Sequence, residues 1–177
     1  MNSTRSAERT KSLKIEPVSE DLVCFESTLI DHSEGPDGSD LIHSLSIRGT
    51  ISLPDLTIRS IEATALHQPY PECAASLDPV RQLVGLRIRS GYSNRVRELL
   101  GGTAGCSHFL ALALDLGASH TLTTYLRVRE KVQSSQINQQ NSKWMRAALV
   151  IEPRLENACI ALQSESRPVK QAKQGQG

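Results

Sequence analysis

The stretch from Leu41 to Ser52 constrains this chain most. Leu41, His43, Leu45, Ile47, Gly49 and Ile51 alternate with Ile42, Ser44, Ser46, Arg48, Thr50 and Ser52. A period of two fits a β-strand with one face buried and the other in water. Such a strand needs partners, and they stand on either side of it. Upstream, Leu22-Val23-Cys24-Phe25 through Leu29-Ile30 is a second β-type run, closed by the turn formers Glu34-Gly35-Pro36-Asp37-Gly38. Downstream, Ser52-Leu53-Pro54-Asp55 predicts a turn and Leu56 to Leu66 a returning strand. On this strand the apolar phase moves from Leu56 and Ile58 to Ile61, Ala63 and Ala65, which predicts a β-bulge near Arg59-Ser60. Three strands with short turns imply an antiparallel meander with one solvated face.

Helical signals follow. Asp78-Pro79 is a cap with a first-turn proline, ahead of Val80, Leu83 and Val84. A second helix carries Val96, Leu99 and Leu100 and ends at Gly101-Gly102. Thr103 can cap a third, whose Phe109, Leu110, Leu112, Ala113, Leu114 and Leu116 cover most of its circumference, as in a helix buried on nearly all sides. Gln133 to Ser142 reads as a polar linker, and Glu152-Pro153 opens a last short helix with Leu155, Cys159 and Leu162. Strands followed by helices, without alternation, predict an α+β fold: an N-terminal antiparallel β-meander packed against C-terminal helices in a single domain. Residues 1–20 and 163–177 lack an apolar period and read as a disordered leader and tail, leaving 21–162 as the folded domain.

The charge balance narrows the partners. With 20 Lys+Arg against 19 Asp+Glu, the chain lacks the standing positive field that a nucleic-acid or membrane-surface binder uses to attract phosphates. No run approaches the roughly 20 apolar residues of a membrane helix, and no secretory signal follows Met1. The expectation is a soluble cytoplasmic protein that binds neither nucleic acid nor membrane and is able to self-associate. Its four separated cysteines, Cys24, Cys73, Cys106 and Cys159, are then thiols or ligands rather than a disulfide framework.

The densest reactive group is Gly105-Cys106-Ser107-His108, at the start of the third helix. Unpaired N–H groups and the positive end of the dipole favour an anion there, so a thiol should ionise readily as nucleophile or ligand. His108 offers an imidazole within chelating reach. A second group, His67-Gln68-Pro69-Tyr70-Pro71-Glu72-Cys73, forms a proline-stiffened loop at a strand end. His67 continues the inward phase of Ile61, Ala63 and Ala65. With His67, the residues Cys73, Cys106 and His108 would complete a four-ligand N/S set for zinc or iron, of which Cys73, Cys106 and His108 are the candidate metal ligands. Asp31-His32 ends the first of these strands, where Asp31 is a candidate general acid or base. His43, on the apolar face, reads as a hydrogen-bonded core histidine. Arg81, Arg87, Arg89, Arg95 and Arg97 form the one basic concentration, of which Arg95 and Arg97 are candidates to hold an anionic substrate, with Tyr70 beside it. No nucleotide-cofactor motif is present.

The blocks Pro69-Tyr70-Pro71-Glu72-Cys73 and Gly101-Gly102-Thr103-Ala104-Gly105-Cys106-Ser107-His108, with Leu83-Val84-Gly85 and Val96 to Leu100 between them, resemble a bacterial family known as domain of unknown function 2889. The resemblance is best from Arg59 to Leu116. It brings no established activity. It implies that Cys73, Cys106 and His108 belong to one pattern and act together, and that relatives sit among catabolic enzymes for aromatic or acyl compounds.

The resulting expectation is a small metal-dependent lyase or hydrolase for a small anionic substrate. Zinc or iron would be held by Cys73, Cys106 and His108, Asp31 or His67 would move a proton, and Arg95 and Arg97 would bind the anion. The alternatives are a metal-free enzyme with Cys106 as nucleophile and a non-catalytic accessory module.

Overall fold

The structure is a computed structural model that describes residues 5–53 and 55–174. The two ends of the chain and Pro54 of the expected turn lie outside the described residues. The chain divides into two compact units, residues 1–120 and 121–177.

The first unit is the α+β element of the expectation, with one strand more. Its sheet is antiparallel in the order β1-β2-β3-β4, made of β1 (Ser6–Ser19), β2 (Leu22–Gly35), β3 (Gly38–Ser52) and β4 (Thr57–His67). The alternation that predicted β3 is realised. Leu45, Ile47 and Ile51 are buried, while on the other face Arg48 pairs with Glu62 and Thr50 with Ser60. The predicted bulge is present too. Thr50 faces Ser60 but Ile51 faces Ile58, so Arg59 is the extra residue. Gly49 sits beside this irregularity because a Cβ there would lie 2.0 Å from the Ser60 carbonyl oxygen.

β1 corrects the expected leader. Residues 6–19 are polar and almost wholly exposed, yet they pair with β2 along its length, from Ser6 opposite Glu34 to Ser19 opposite Leu22. An edge strand satisfies its backbone on one side without needing apolar side chains, and charged residues protect its open side. Composition therefore hid it, and only Ile15 buries its side chain.

Three helices complete the first unit: α1 (Leu77–Val80), α2 (Tyr92–Leu100) and α3 (Ser107–Asp115). Val96, Leu100, Phe109 and Leu112 are fully buried, as are Leu29, Ile47 and Ile58 of the sheet. α3 lies against β2 and β3. Beyond the exposed Ser107 every residue of α3 is buried or half-buried, as its apolar circumference predicted. The buried Tyr92 hydroxyl donates to the Ala113 carbonyl at 2.9 Å and ties α2 to α3.

Most of α4 (Ser119–Lys131), with α5 (Gln136–Gln140), α6 (Lys143–Ile151) and α7 (Arg167–Gln174), belongs to the second unit. Its core is Val128, Trp144, Met145, Ala148, Leu155 and Ala172. Three expectations change here. The last short helix expected from Glu152-Pro153 is instead two 3-10 turns, Pro153–Leu155 and Ile160–Leu162. The polar linker contains α5, capped by Ser135, whose hydroxyl accepts from the Asn138 N–H at 3.2 Å. The tail contains α7, which buries Val169 and Ala172, because two apolar residues three apart give even a Lys/Gln-rich helix a face to bury. No helix among the described residues is long and apolar enough to cross a membrane.

Candidate functional site

The site begins as a row across the sheet. In the β1–β2 register Arg9 lies opposite Asp31, and in the β2–β3 register Asp31 lies opposite His43. Directly opposed residues share a face with Cβ atoms about 5 Å apart, so three strands bring Arg9, Asp31 and His43 side by side on the inward face. A register shift between Asp31 and His32 interrupts the regular pairing at this point, which resumes with His32 opposite Leu41. Bulges commonly re-aim a side chain next to a site.

α3 delivers the rest. Gly101 and Gly105 sit where a Cβ would approach the backbone of Arg97 and Leu100 at 2.4 and 2.8 Å, and Gly102 takes φ +57°. The chain thus turns tightly from α2 and starts α3 over the row. The helix begins later than expected, with Cys106 rather than Thr103 at its N-cap position. That places His108 in the first turn, above Asp31.

The contacts form one connected group. Arg9 Nε donates to Asp31 Oδ1 at 2.6 Å and Nη2 to Oδ2 at 2.8 Å. His43 Nδ1 is 2.9 Å from Asp31 Oδ2, and His108 Nε2 is 3.5 Å from the same oxygen. The second nitrogen of His108, Nδ1, lies 3.2 Å from Cys106 Sγ. The two imidazole rings are 4.0 Å apart between centroids. Asp31 is buried at 7% exposure, and both histidines are half-buried.

The electrostatics follow from these contacts. Hydrogen bonding from Arg9 leads in holding the Asp31 carboxyl below its ordinary range, with the Arg9 charge, His43 and His108 acting the same way against the opposing effect of burial. Burial pushes the His108 imidazole below its ordinary value, helped by the nearby His43 and Arg9 and opposed by Asp31. The site therefore holds an ionised carboxylate beside a histidine kept neutral at pH 7, the protonation states in which both act as metal ligands.

Asp31, His43 and His108 lie close enough to hold a metal ion, with ligand atoms all within 4.8 Å of one another. An ion with bonds of about 2.1 Å sets its ligands about 3.0 to 3.4 Å apart at octahedral or tetrahedral angles. The 2.9 and 3.5 Å separations at Asp31 Oδ2 bracket that range. Two histidines and one carboxylate suit zinc or iron, and three protein ligands leave coordination positions open.

A cleft of about 820 Å³ opens on this group. His43, Cys106 and His108 line it together with Leu45, Pro69, Phe109 and Leu110. No arginine or lysine among the described residues lines it.

The residues named from sequence are distributed unevenly around the cleft. Asp31, Cys106 and His108 belong to the connected group. Tyr70 and Cys73 line the cleft, but Cys73, Cys106 and His108 do not make a group of converging ligand atoms; Asp31, His43 and His108 do. His67 is exposed and faces Ser44 across the ladder. A second register shift, between Ser44 and Leu45, inserts Leu66 and breaks the inward phase that His67 was expected to continue. Arg95 and Arg97 are exposed on α2 and do not line the cleft, and Arg95 pairs with Glu98 at 2.8 Å. His43 is the reverse case. The alternation put it on the inward face, where it is hydrogen-bonded to Asp31 as expected; it is half-buried and also lines the cleft as part of the group. Arg9 lay in the segment read as a leader. The available signal was the spacing of Arg9, Lys11, Leu13 and Ile15, which gives β1 one face ending in a basic residue.

A family model described as a protein of unknown function (DUF2889) matches residues 7–121. No curated protein and no solved structure matches the chain.

Proposed function

The chain belongs to that family, and on the geometry of its first unit we propose that it is a metal-dependent enzyme, a hydrolase or lyase, acting on a small molecule held in the cleft beside Asp31, His43 and His108. The observation that carries the reading is the convergence of three ligand atoms from β2, β3 and α3 within 4.8 Å at the cleft. Zinc or iron is the ion this ligand set favours, and when bound it would supply Lewis acidity toward a substrate carbonyl or carboxylate. The protein's own part is positional. Arg9 fixes Asp31, and Cys106 faces the other nitrogen of His108, the place where a hydrogen-bond partner normally orients a ligating imidazole. Leu45, Pro69, Phe109 and Leu110 offer apolar walls to the body of a substrate. A single negative charge on that substrate would be met by the ion, since no arginine or lysine among the described residues lines the cleft to do so.

Elemental analysis of the full chain after expression with sufficient zinc and iron tests the proposal. One ion per chain is expected, and its loss in Asp31→Asn and His43→Gln. A wild-type chain with no stoichiometric metal would sink the reading.

One contact favours a second reading, the 3.2 Å approach of Cys106 Sγ to His108 Nδ1. Without a metal, His108 would accept the thiol proton while Cys106 attacks an acyl carbon, the leaving group would depart with that proton to give a thioester that water then hydrolyses, and Asp31 would orient the imidazole through Nε2. In that case alkylation of Cys106 should slow markedly in His108→Gln, with the metal content irrelevant to the rate.

A further inference from the structure

We infer that Arg9 is the positioning residue of this site, the group that presents Asp31 as a one-oxygen ligand; the inference rests on the metal reading above. Three observations carry it. The first is geometric. The guanidinium engages both carboxylate oxygens in a fork, Nε to Oδ1 at 2.6 Å and Nη2 to Oδ2 at 2.8 Å. An ionised carboxylate has about four lone-pair sites, so the fork uses one on each oxygen. On Oδ2 it leaves a site on the side where His43 Nδ1 and His108 Nε2 converge at 2.9 and 3.5 Å. Among the described residues no comparable convergence of nitrogens stands at Oδ1. The carboxylate is thus locked against rotation with a single oxygen offered.

The second observation is where Arg9 comes from. β1 is an exposed edge strand that gives the core little besides Ile15. Its inward row nevertheless sends two basic side chains to acids: Arg9 to Asp31, and Lys11 to Asp115 at the end of α3, at 2.7 Å. The strand is therefore anchored to two of the three elements that build the site, β2 and α3, and the Arg9 contact falls on the convergent carboxylate. The third is the register. Arg9, Asp31 and His43 are direct neighbours across three strands, so the fork is set by backbone hydrogen bonding and does not depend on a mobile loop.

Charge and position predict opposite signs, which makes the inference sharp. A guanidinium acting only through its charge would repel a divalent ion, and removing it would tighten binding. A guanidinium that orients a ligand would, when removed, let Asp31 rotate and loosen binding, by roughly ten- to a hundredfold for a partner of this kind.

The test is an equilibrium titration of the full chain with Co²⁺, followed by its visible ligand-field band, for wild type, Arg9→Lys and Arg9→Ala, with thermal melts as a check on folding. Arg9→Lys retains the charge and loses the fork, so it also serves if Arg9→Ala folds poorly. The expected result is one cobalt per wild-type chain, weaker binding with a shifted band in both variants, and recovery of affinity and band when methylguanidinium is added to Arg9→Ala. Wild-type affinity and an unshifted band in both variants, or tighter binding in Arg9→Ala, would overturn the role of Arg9 while leaving the metal site standing. Absence of cobalt binding by the wild type would remove the metal site, and the inference with it.

Discussion

The two units bury their apolar residues by different means, and among the described residues only one of them brings metal-ligating side chains together. In the first, three of the four strands lay a row of polar side chains beneath the N-terminus of α3, and the core of Leu29, Ile47, Phe109 and Leu112 holds sheet and helix in register. In the second, helices collapse around Trp144 and Met145, and no group of metal-ligating side chains converges among its described residues. The family match, residues 7–121, ends one residue past the first unit. The contrast has a physical basis. Cross-strand neighbours of a sheet are fixed by backbone hydrogen bonds, so side chains from distant parts of the sequence are held to within about 0.5 Å, as a ligand set requires. A short helical cluster positions its side chains mainly by packing.

The comparison can be broken by core mutation, where the largest effects lie. Phe109→Ala removes a fully buried ring under the site and should cost about 3–5 kcal/mol, lowering the melting temperature and abolishing cobalt binding together. Trp144→Ala should destabilise the second unit by a comparable amount and leave the cobalt affinity of folded protein unchanged. Loss of binding in Trp144→Ala would show that the site does not belong to the first unit alone.

Next in size is the carboxylate itself. Asp31→Asn keeps the shape but loses the charge, so cobalt affinity should fall by about a hundredfold or more, the upper end of what loss of a supporting partner costs. Isothermal titration reads this directly. The same residue gives the first unit an acid-sensitive stability. Its folded carboxyl, held low chiefly by Arg9, takes up a proton only below the pH at which the unfolded chain has already done so. The stabilisation is therefore fully present above roughly pH 4–5, the range of an unperturbed aspartate, and is lost as the pH falls through the lower folded value. Urea unfolding across that range should be flatter in Asp31→Asn than in wild type.

The smallest effects test the sequence-based candidates that the fold sets aside. Cys73→Ser should leave cobalt affinity within twofold of wild type, because Cys73 lines the cleft without joining the converging ligands. Arg95→Ala breaks an exposed pair with Glu98, worth about 0.2–1 kcal/mol at most, and should leave cobalt affinity unchanged. A larger response in either variant would return these residues to the site.

Much of the fold was legible. The alternation in β3, the bulge at Arg59 and the all-round burial of α3 follow from local spacing, because period and phase depend on residues a few positions apart. Half of the site was legible for the same reason. Cys106 and His108 are two residues apart at a helix start, and Asp31 ends an apolar run. The rest was hidden by chemistry that composition does not record. His43 looks like any inward residue of an amphipathic strand until Asp31 is set against it. Arg9 belongs to a strand whose stability comes from main-chain pairing, and a polar sequence gives no sign of such a strand. His67 was misplaced because one inserted residue, Leu66, reverses the facing of all that follows it.

By itself, then, the sequence determined strands β2 to β4 and helices α1 to α3, that strands come first, and that a thiol and an imidazole stand at the start of α3, but not β1 or the helices of the second unit. The tertiary structure decided which side chains meet: Arg9 with Asp31, Asp31 with His43, and His108 over both. Strand register is a long-range quantity, set by how whole strands pair, and a shift of a single residue would have sent Asp31 or His43 to the opposite face.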